Sequence, residues 1–414
     1  MNTRMDRSRL NIGVYHLRPY ARTEKHIKEV ADCGIDFVID MSYDIPVLDL
    51  FHKYGVGAIL SGIVPGWWGG DGQNAGKLAT TNTMDQYMEA AAAFVDHPAV
   101  WGIDIGDEPS ALDFPYYGKV FDYVNTHFPK QFPYLNLYPN YASVSQNTAE
   151  ETLNQLGTAT YAQHIRRYCE CVPSDYICYD FYCFDPNLRP VGITKHYDNL
   201  RVVANEARNT GRSMWIVLQV NSSRPELWMS ENNLRFQVYT AMAFGAENIT
   251  WACYTAGWWY NQVLDEHGEK TQQYEKLKHI NAEIRTLADT YMKYRRVDTH
   301  FVDMRGNEHM ACVSQDAIDA LSTGVFLDVK AHNNAPLIIG EMVSRNHDGS
   351  TALMICAADD PYDQNPQTYH ITFACPNRQV SALGGEGYLP VISMGDGVYG
   401  VEVKSNQGIL ITAR

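Results

Sequence analysis

Two adjacent carboxylates, Asp107 and Glu108, close the run Val100-Trp-Gly-Ile-Asp-Ile-Gly-Asp-Glu-Pro-Ser110. The run is β-branched and aromatic and is bounded by Pro98 and Pro109, so it reads as a buried strand ending at Pro109, which cannot donate to a ladder. Neighbouring carboxylates repel, and one of them can then hold its proton near neutrality. That is how a general acid is made. The plainer reading is a strand end followed by a helix cap, with Asp107 as a turn residue.

What decides between these readings is the set of elements that would position the pair. From residue 10 to about 295 a short apolar run, a polar loop and a helical period recur. Strands are expected at 11–17, 36–40, 57–64, 100–107, 132–138, 176–182, 214–220 and 248–254, and several of the helices between them stop at a glycine: Gly34, Gly55, Gly211 and Gly245. Eight strands alternating with eight helices predict an α/β fold, a parallel (β/α)8 TIM barrel over residues 1–298. An open doubly wound sheet is the runner-up. It would carry a Gly-rich turn after its first strand, where this chain has His16-Leu-Arg-Pro19. After about 300 the pattern changes to short strands punctuated by Gly, Pro and Asn, which predicts a small antiparallel β-sandwich domain over 299–414.

In such a barrel the C-terminal strand ends share one pocket. The first strand delivers Tyr15 and His16, the second Asp40, and the loop after the third Trp67 and Trp68. The fourth delivers Asp107 and Glu108, the fifth Asn136 and Tyr138, and the sixth Asp180 and Tyr182. Gln219 and Asn221 follow from the seventh, and Trp251, Tyr254, Trp258 and Trp259 from the eighth and its loop. Amides and carboxylates hydrogen-bond hydroxyls, and aromatic faces pack on the C–H faces of sugar rings. Each residue also has a structural reading: His16 as a hydrogen-bonded core histidine, Asp40 as a paired acid, and the tryptophan pairs as caps on the barrel.

Other chemistries find weaker support. The first strand offers one His and the chain has no His-Glu-x-x-His, so neither a metal site nor another cofactor is expected. The seventh strand runs into Asn221-Ser-Ser-Arg224-Pro, which is not a Gly-rich phosphate loop, and a Gly-x-Ser-x-Gly elbow is missing. The 414 residues carry 33 basic and 48 acidic side chains, a formal charge of −15. That disfavours nucleic acid or an anionic membrane as partner and suits a neutral carbohydrate substrate. Nine Cys without a Cys-x-x-Cys pair, and an N-terminus without an apolar core, lead us to expect reduced thiols in a cytoplasmic protein. Oligomeric state is open.

The stretch His97-Pro-Ala-Val-Trp-Gly-Ile-Asp-Ile-Gly-Asp-Glu-Pro109 resembles the clan A glycoside hydrolases, (β/α)8 barrels whose fourth strand ends in Asn-Glu-Pro with the Glu as acid/base. The resemblance implies that Glu108 is the acid/base and that Asp107 takes the Asn place. It also implies hydrolysis of O-glycosidic bonds. The convergence of strand ends then puts Asp40, Trp67, Trp68, Asp107, Asn136, Tyr138, Tyr182, Gln219, Trp251, Tyr254 and Trp258 around the sugar. The chain departs from the pattern at the seventh strand, where the family's nucleophilic Glu is replaced by Gln219. Asp180 then supplies the second carboxylate, or Glu226 or Glu231 folds back into the site, or the barrel binds carbohydrate without cleaving it. A metal-dependent hydrolase is a more distant alternative.

Overall fold

The computed structural model describes residues 3–42, 44–62, 75–81, 83–143, 155–186, 192–304, 316–332, 335–363 and 365–414. Strands β1 (Asn11–Tyr15), β2 (Phe37–Met41), β3 (Gly57–Leu60), β4 (Val100–Asp107), β5 (Phe132–Asn136), β6 (Tyr176–Phe181), β7 (Ser213–Gln219) and β8 (Ala246–Ala252) form one parallel sheet in the order β5-β4-β3-β2-β1-β8-β7-β6. Each is followed by a helix: α1 (Glu24–Asp32), α2 (Ile45–Tyr54), α3 (Met84–Ala91), α4 (Phe114–His127), α5 (Tyr161–Cys171), α6 (Gly192–Thr210), α7 (Glu231–Ala243) and α8 (Gln272–Tyr291). A short helical turn, Leu78–Thr81, precedes α3. This is the expected (β/α)8 barrel.

Local chemistry sets the element ends. Thr23, Thr160, Ser230 and Thr271 cap α1, α5, α7 and α8 by accepting backbone N–H bonds in the first turn. Gly55 closes α2 in the left-handed conformation at φ 70°, where a side chain would be strained. The barrel closes between β5 and β6 through the Leu137–Tyr179 bridge, with the Leu137 N–H donating to the Cys178 carbonyl at 2.9 Å. Pro133 has no N–H for that seam. The Tyr176 hydroxyl compensates: it donates to the Pro133 carbonyl at 2.8 Å and accepts the Leu135 N–H at 3.0 Å.

The barrel interior is layered. At its floor the rings of Phe132, Tyr176 and Trp215 pack together under the Arg7 guanidinium. Above them the Tyr15 and Tyr134 hydroxyls bond at 2.9 Å, linking β1 to β5 across the barrel. Carboxylates form the layer at the mouth.

The second domain is antiparallel throughout. A six-stranded sheet has the order β15-β14-β18-β12-β11-β9, built from β9 (Tyr294–Val302), β11 (Leu337–Ser344), β12 (Thr351–Ala357), β14 (Val380–Gly384), β15 (Gly387–Leu389) and β18 (Gly408–Ala413). A four-stranded sheet has the order β10-β13-β17-β16, from β10 (Leu327–Ala331), β13 (Thr368–Ala374), β16 (Ile392–Gly395) and β17 (Val398–Lys404). Val302, Leu337, Ile339, Leu353, Ile355, Ile371, Phe373 and Ile411 belong to a core of its own. Strand β9 pairs with β11 from Tyr294 onward, so sandwich structure begins inside the range assigned to the barrel from sequence. The domains pack closely: a Cβ on Gly340 of β11 would lie 2.2 Å from the Ala243 carbonyl at the end of α7. Among the described residues no helix is long and apolar enough to cross a membrane.

Candidate active site

The acidic layer depends on an irregularity in β4. Asp104 pairs with Tyr134 and Asp107 with Asn136, so three steps along β4 match two along β5. A strict two-residue alternation would put Asp104 and Asp107 on opposite faces. The extra residue resets the phase, and both carboxylates face the barrel axis. A similar shift in β2 spans Asp40, whose φ is 59°.

Asn136 is the hub. Its Nδ2 donates to Asp107 Oδ1 at 3.0 Å and to Asp180 Oδ1 at 2.8 Å, joining β4, β5 and β6. Its Oδ1 accepts from the Cys178 thiol at 3.6 Å, and the Cys178 sulfur is 3.5 Å from the Tyr134 hydroxyl. The other oxygen of Asp180 accepts from the Tyr141 hydroxyl at 3.4 Å. Tyr141 sits in a short helical turn, Asn140–Ser143, which is pinned to α6 by Asn140 through the Asn199 side chain and the Lys195 carbonyl.

Burial and mutual repulsion keep protons on these acids. Burial pushes Asp107 up to about 6, with Asp40 adding to the rise and the Asn136 bond opposing it. Burial and then the Asp107 charge push Asp180 up to about 7, again opposed by Asn136. Asp104, below them, is raised well above the usual carboxylate range by burial, Asp107 and Asp40. Asp107 and Asp180 thus titrate as a pair that can hold one proton near neutrality. Burial alone would raise Asp40 too. Instead His16, whose Nδ1 lies 2.5 Å from Asp40 Oδ2, and the Ser61 hydroxyl at 2.6 Å hold it below the ordinary value.

Glu108 follows directly on Asp107. Its N–H donates to the Asn136 carbonyl at 2.9 Å, and its φ of 44° is left-handed. His16 at 64° and Asp40 at 59° share that unfavourable geometry. Three non-glycine strand-end residues held this way around one mouth mark a site where conformation is imposed by surroundings. The Tyr141 phenol is raised well above its ordinary value by burial, with the charges of Asp180, Glu108 and Asp185 adding to the rise.

Aromatic rings wall one side. Trp258 meets His16, Tyr15 and Tyr182 at ring separations of 5.0, 5.9 and 6.4 Å, and Tyr182 meets Trp259 at 5.1 Å. The Asn221 amide holds the Trp258 carbonyl at 2.9 Å. Gly257 is required beneath this wall, because a Cβ there would lie 2.5 Å from the His16 ring.

The structure therefore brings together Asp40, Asp107, Glu108, Asn136, Asp180, Tyr182 and Trp258. It places three other candidates elsewhere. Trp251 is buried on the outside of β8, its indole N–H donating to Asn281 of α8 at 3.0 Å. Tyr254 is buried near Cys33 and Tyr274, and Tyr138 packs on His164 of α5. Gln219 stays near the mouth but is fully buried. Its Oε1 accepts the Phe184 N–H at 3.1 Å and its Nε2 donates to the Asn221 carbonyl at 2.9 Å. Glu231 is held at the barrel exterior by Arg235 and His279, and Glu226 is exposed. Trp67 and Trp68 lie outside the described residues. Sequence reasoning missed Asp104 and Tyr141. Asp104 was readable as an acid inside an apolar strand; Tyr141 had no signal beyond its place after a strand end.

No protein-family model and no curated relative matches the chain. Solved structures similar to it include a glycoside hydrolase family 30 subfamily 8 xylanase from Clostridium acetobutylicum, at 11% identity and a TM-score of 0.47, covering 97% of this chain and 95% of that one. An endo-β-1,4-mannanase from Thermotoga petrophila aligns at 9% identity and a TM-score of 0.43, covering 98% and 94%. A glucosidase from Croceicoccus marinus aligns at 9% identity and a TM-score of 0.45, covering 98% and 96%.

Proposed function

We propose that the barrel mouth hydrolyses O-glycosidic bonds of an oligo- or polysaccharide, with Glu108 as general acid and Asp180 as the second carboxylate. The observation that carries this reading is that Asp107 and Asp180 share the Asn136 amide while Glu108, next along β4, donates its N–H to the Asn136 carbonyl, beside the Trp258–Tyr182 wall. Glycoside cleavage needs a proton donor and a carboxylate base or nucleophile at one point, next to a surface that accepts a sugar ring. Glu108 gives its proton to the departing glycosidic oxygen as the C–O bond breaks. Asp180 either takes a proton from the attacking water or attacks the anomeric carbon itself. Asp107 and Asp40 accept hydrogen bonds from sugar hydroxyls, and Trp258 and Tyr182 pack on the ring.

A second reading is a barrel that binds carbohydrate without cleaving it. It is favoured by Gln219, a neutral side chain whose amide is already engaged by the backbone. Incubation with a panel of oligosaccharides, followed by quantification of reducing ends and by tryptophan fluorescence, separates the two. New reducing ends that disappear in Glu108→Gln support hydrolysis. Saturable fluorescence change with no new reducing ends supports binding alone.

A further inference from the structure

At the opposite face of the barrel, arginines gather in a chain that is acidic overall. The loop at Gly211 leads from α6 into β7 and the loop at Gly245 from α7 into β8, so this is the N-terminal face. There a cavity of about 160 Å³ is lined by Arg208, Arg295, Arg296, Arg345 and Glu247, with Gly245 at its wall. Four cations face one lining anion.

Their internal partners leave donors over. Arg345 pairs with Glu247 and donates to the Tyr294 carbonyl at 3.0 Å. Arg208 donates to the Val297 carbonyl at 2.6 Å. Arg295 is exposed and has no ion pair among the described residues. Arg296 is the telling one. Its side chain is 6% exposed, its Nε donates to Thr299 at 2.6 Å, and its Nη2 reaches Asn205 at 3.1 Å and half-exposed Asp298 at 3.3 Å. Its Nη1 is buried with no hydrogen-bond partner, and its guanidinium carbon lies 5.8 Å from the centre of the Phe244 ring. A buried guanidinium edge with two unused donors is costly unless a polar group completes it.

The bland alternative is that the arginines satisfy the carbonyl ends of α6 and α7. Their bonds do not go there. They go to β9 and to side chains, while the Ala243 carbonyl at the end of α7 is met by the Thr299 hydroxyl at 3.0 Å. The cavity is too small for a drug-sized ligand but has room for a compact group with several acceptor oxygens.

We propose that this cavity binds a small oxyanion of the phosphate type, either free or as the phosphoryl group of a small metabolite. It is walled by both domains, with Arg208 from the barrel and Arg295, Arg296 and Arg345 from the sandwich side, so an anion there ties the domains together.

The test is calorimetric titration of the whole chain with inorganic phosphate and with glycerol 3-phosphate. Ionic strength is matched with chloride, and Arg208→Ala and Arg295→Ala are run beside the wild type. Both variants remove exposed side chains, and circular dichroism checks that they remain folded. The expected result is saturable one-to-one binding that each variant weakens about tenfold. Phosphate binding as tightly as the ester assigns the free ion; a tighter ester assigns the carried group. Absence of saturable binding by either probe, equal binding of chloride, or affinities unchanged in both variants would overturn the proposal.

Discussion

Asp107 and Asp180, on strands separated by β5, share the two donors of one amide, Asn136, at 3.0 and 2.8 Å. The amide partly offsets the repulsion between two acids that burial already drives toward protonation. Replacing it by Ala removes a hydrogen bond that favours the ionised form of each acid. Asn136→Ala should lower stability by about 2–4 kcal/mol at pH 8, since hydrogen bonds to charged groups are the strong ones. The loss should be smaller at pH 5, where both acids carry protons. Denaturant midpoints at the two pH values check this.

Asp180 itself destabilises the fold when ionised. Its pKa is about 7 in the folded protein, against about 3.9 in an unfolded chain. Between those values the folded state binds more protons, so this group's contribution is full below about pH 4 and is lost as pH rises through about 7. Asp180→Asn keeps an acceptor for Asn136 and removes the titration. It should stabilise the protein by about 1–3 kcal/mol at pH 8 and flatten stability between pH 4 and 7. It should also abolish turnover. Thermal or denaturant unfolding across pH reads the first effect, and steady-state kinetics the second.

Trp258 and Trp251 have different jobs despite lying seven residues apart. Trp258→Ala should raise KM about threefold to tenfold by removing a stacking face, with little effect on stability. Trp251→Phe leaves Asn281 Oδ1 without its indole donor and should lower stability by about 1–3 kcal/mol while leaving KM unchanged. Kinetics and unfolding curves on the two variants separate the roles.

The left-handed backbone at Glu108 makes a further prediction. Glu108→Gly and Glu108→Ala both remove the carboxylate, but only glycine adopts φ 44° without a Cβ clash. The glycine variant should be more stable than the alanine variant by about 1 kcal/mol, measured by denaturant unfolding. Equal stabilities would mean that the turn relaxes once the glutamate is gone.

Much of this architecture is legible in the sequence for a simple reason. Buried parallel strands are apolar runs, and Gly55, Gly211 and Gly245 stop helices where a left-handed residue is needed. Strand ends in a barrel converge, so Asp107, Glu108, Asn136 and Asp180 could be nominated together. Parity could not be read. The extra residue in β4 puts Asp104 on the face of Asp107, and alternation along β8 turns Trp251 outward to Asn281. Tyr141 owes its position to Asn140 gripping α6, a contact between segments more than fifty residues apart. The domain boundary was blurred because β9 begins at Tyr294, just after α8 ends at Tyr291.

The central claim is that Glu108 protonates a departing glycosidic oxygen. It is tested most directly by kcat/KM for wild type and Glu108→Gln on aryl glycosides of graded leaving-group acidity. General acid catalysis is worth about 10²–10⁴-fold. The loss in the variant should approach that range for poor leaving groups and shrink toward nothing for good ones. A variant that hydrolyses every accepted glycoside as fast as the wild type, or that loses the same factor for all of them, would contradict the claim.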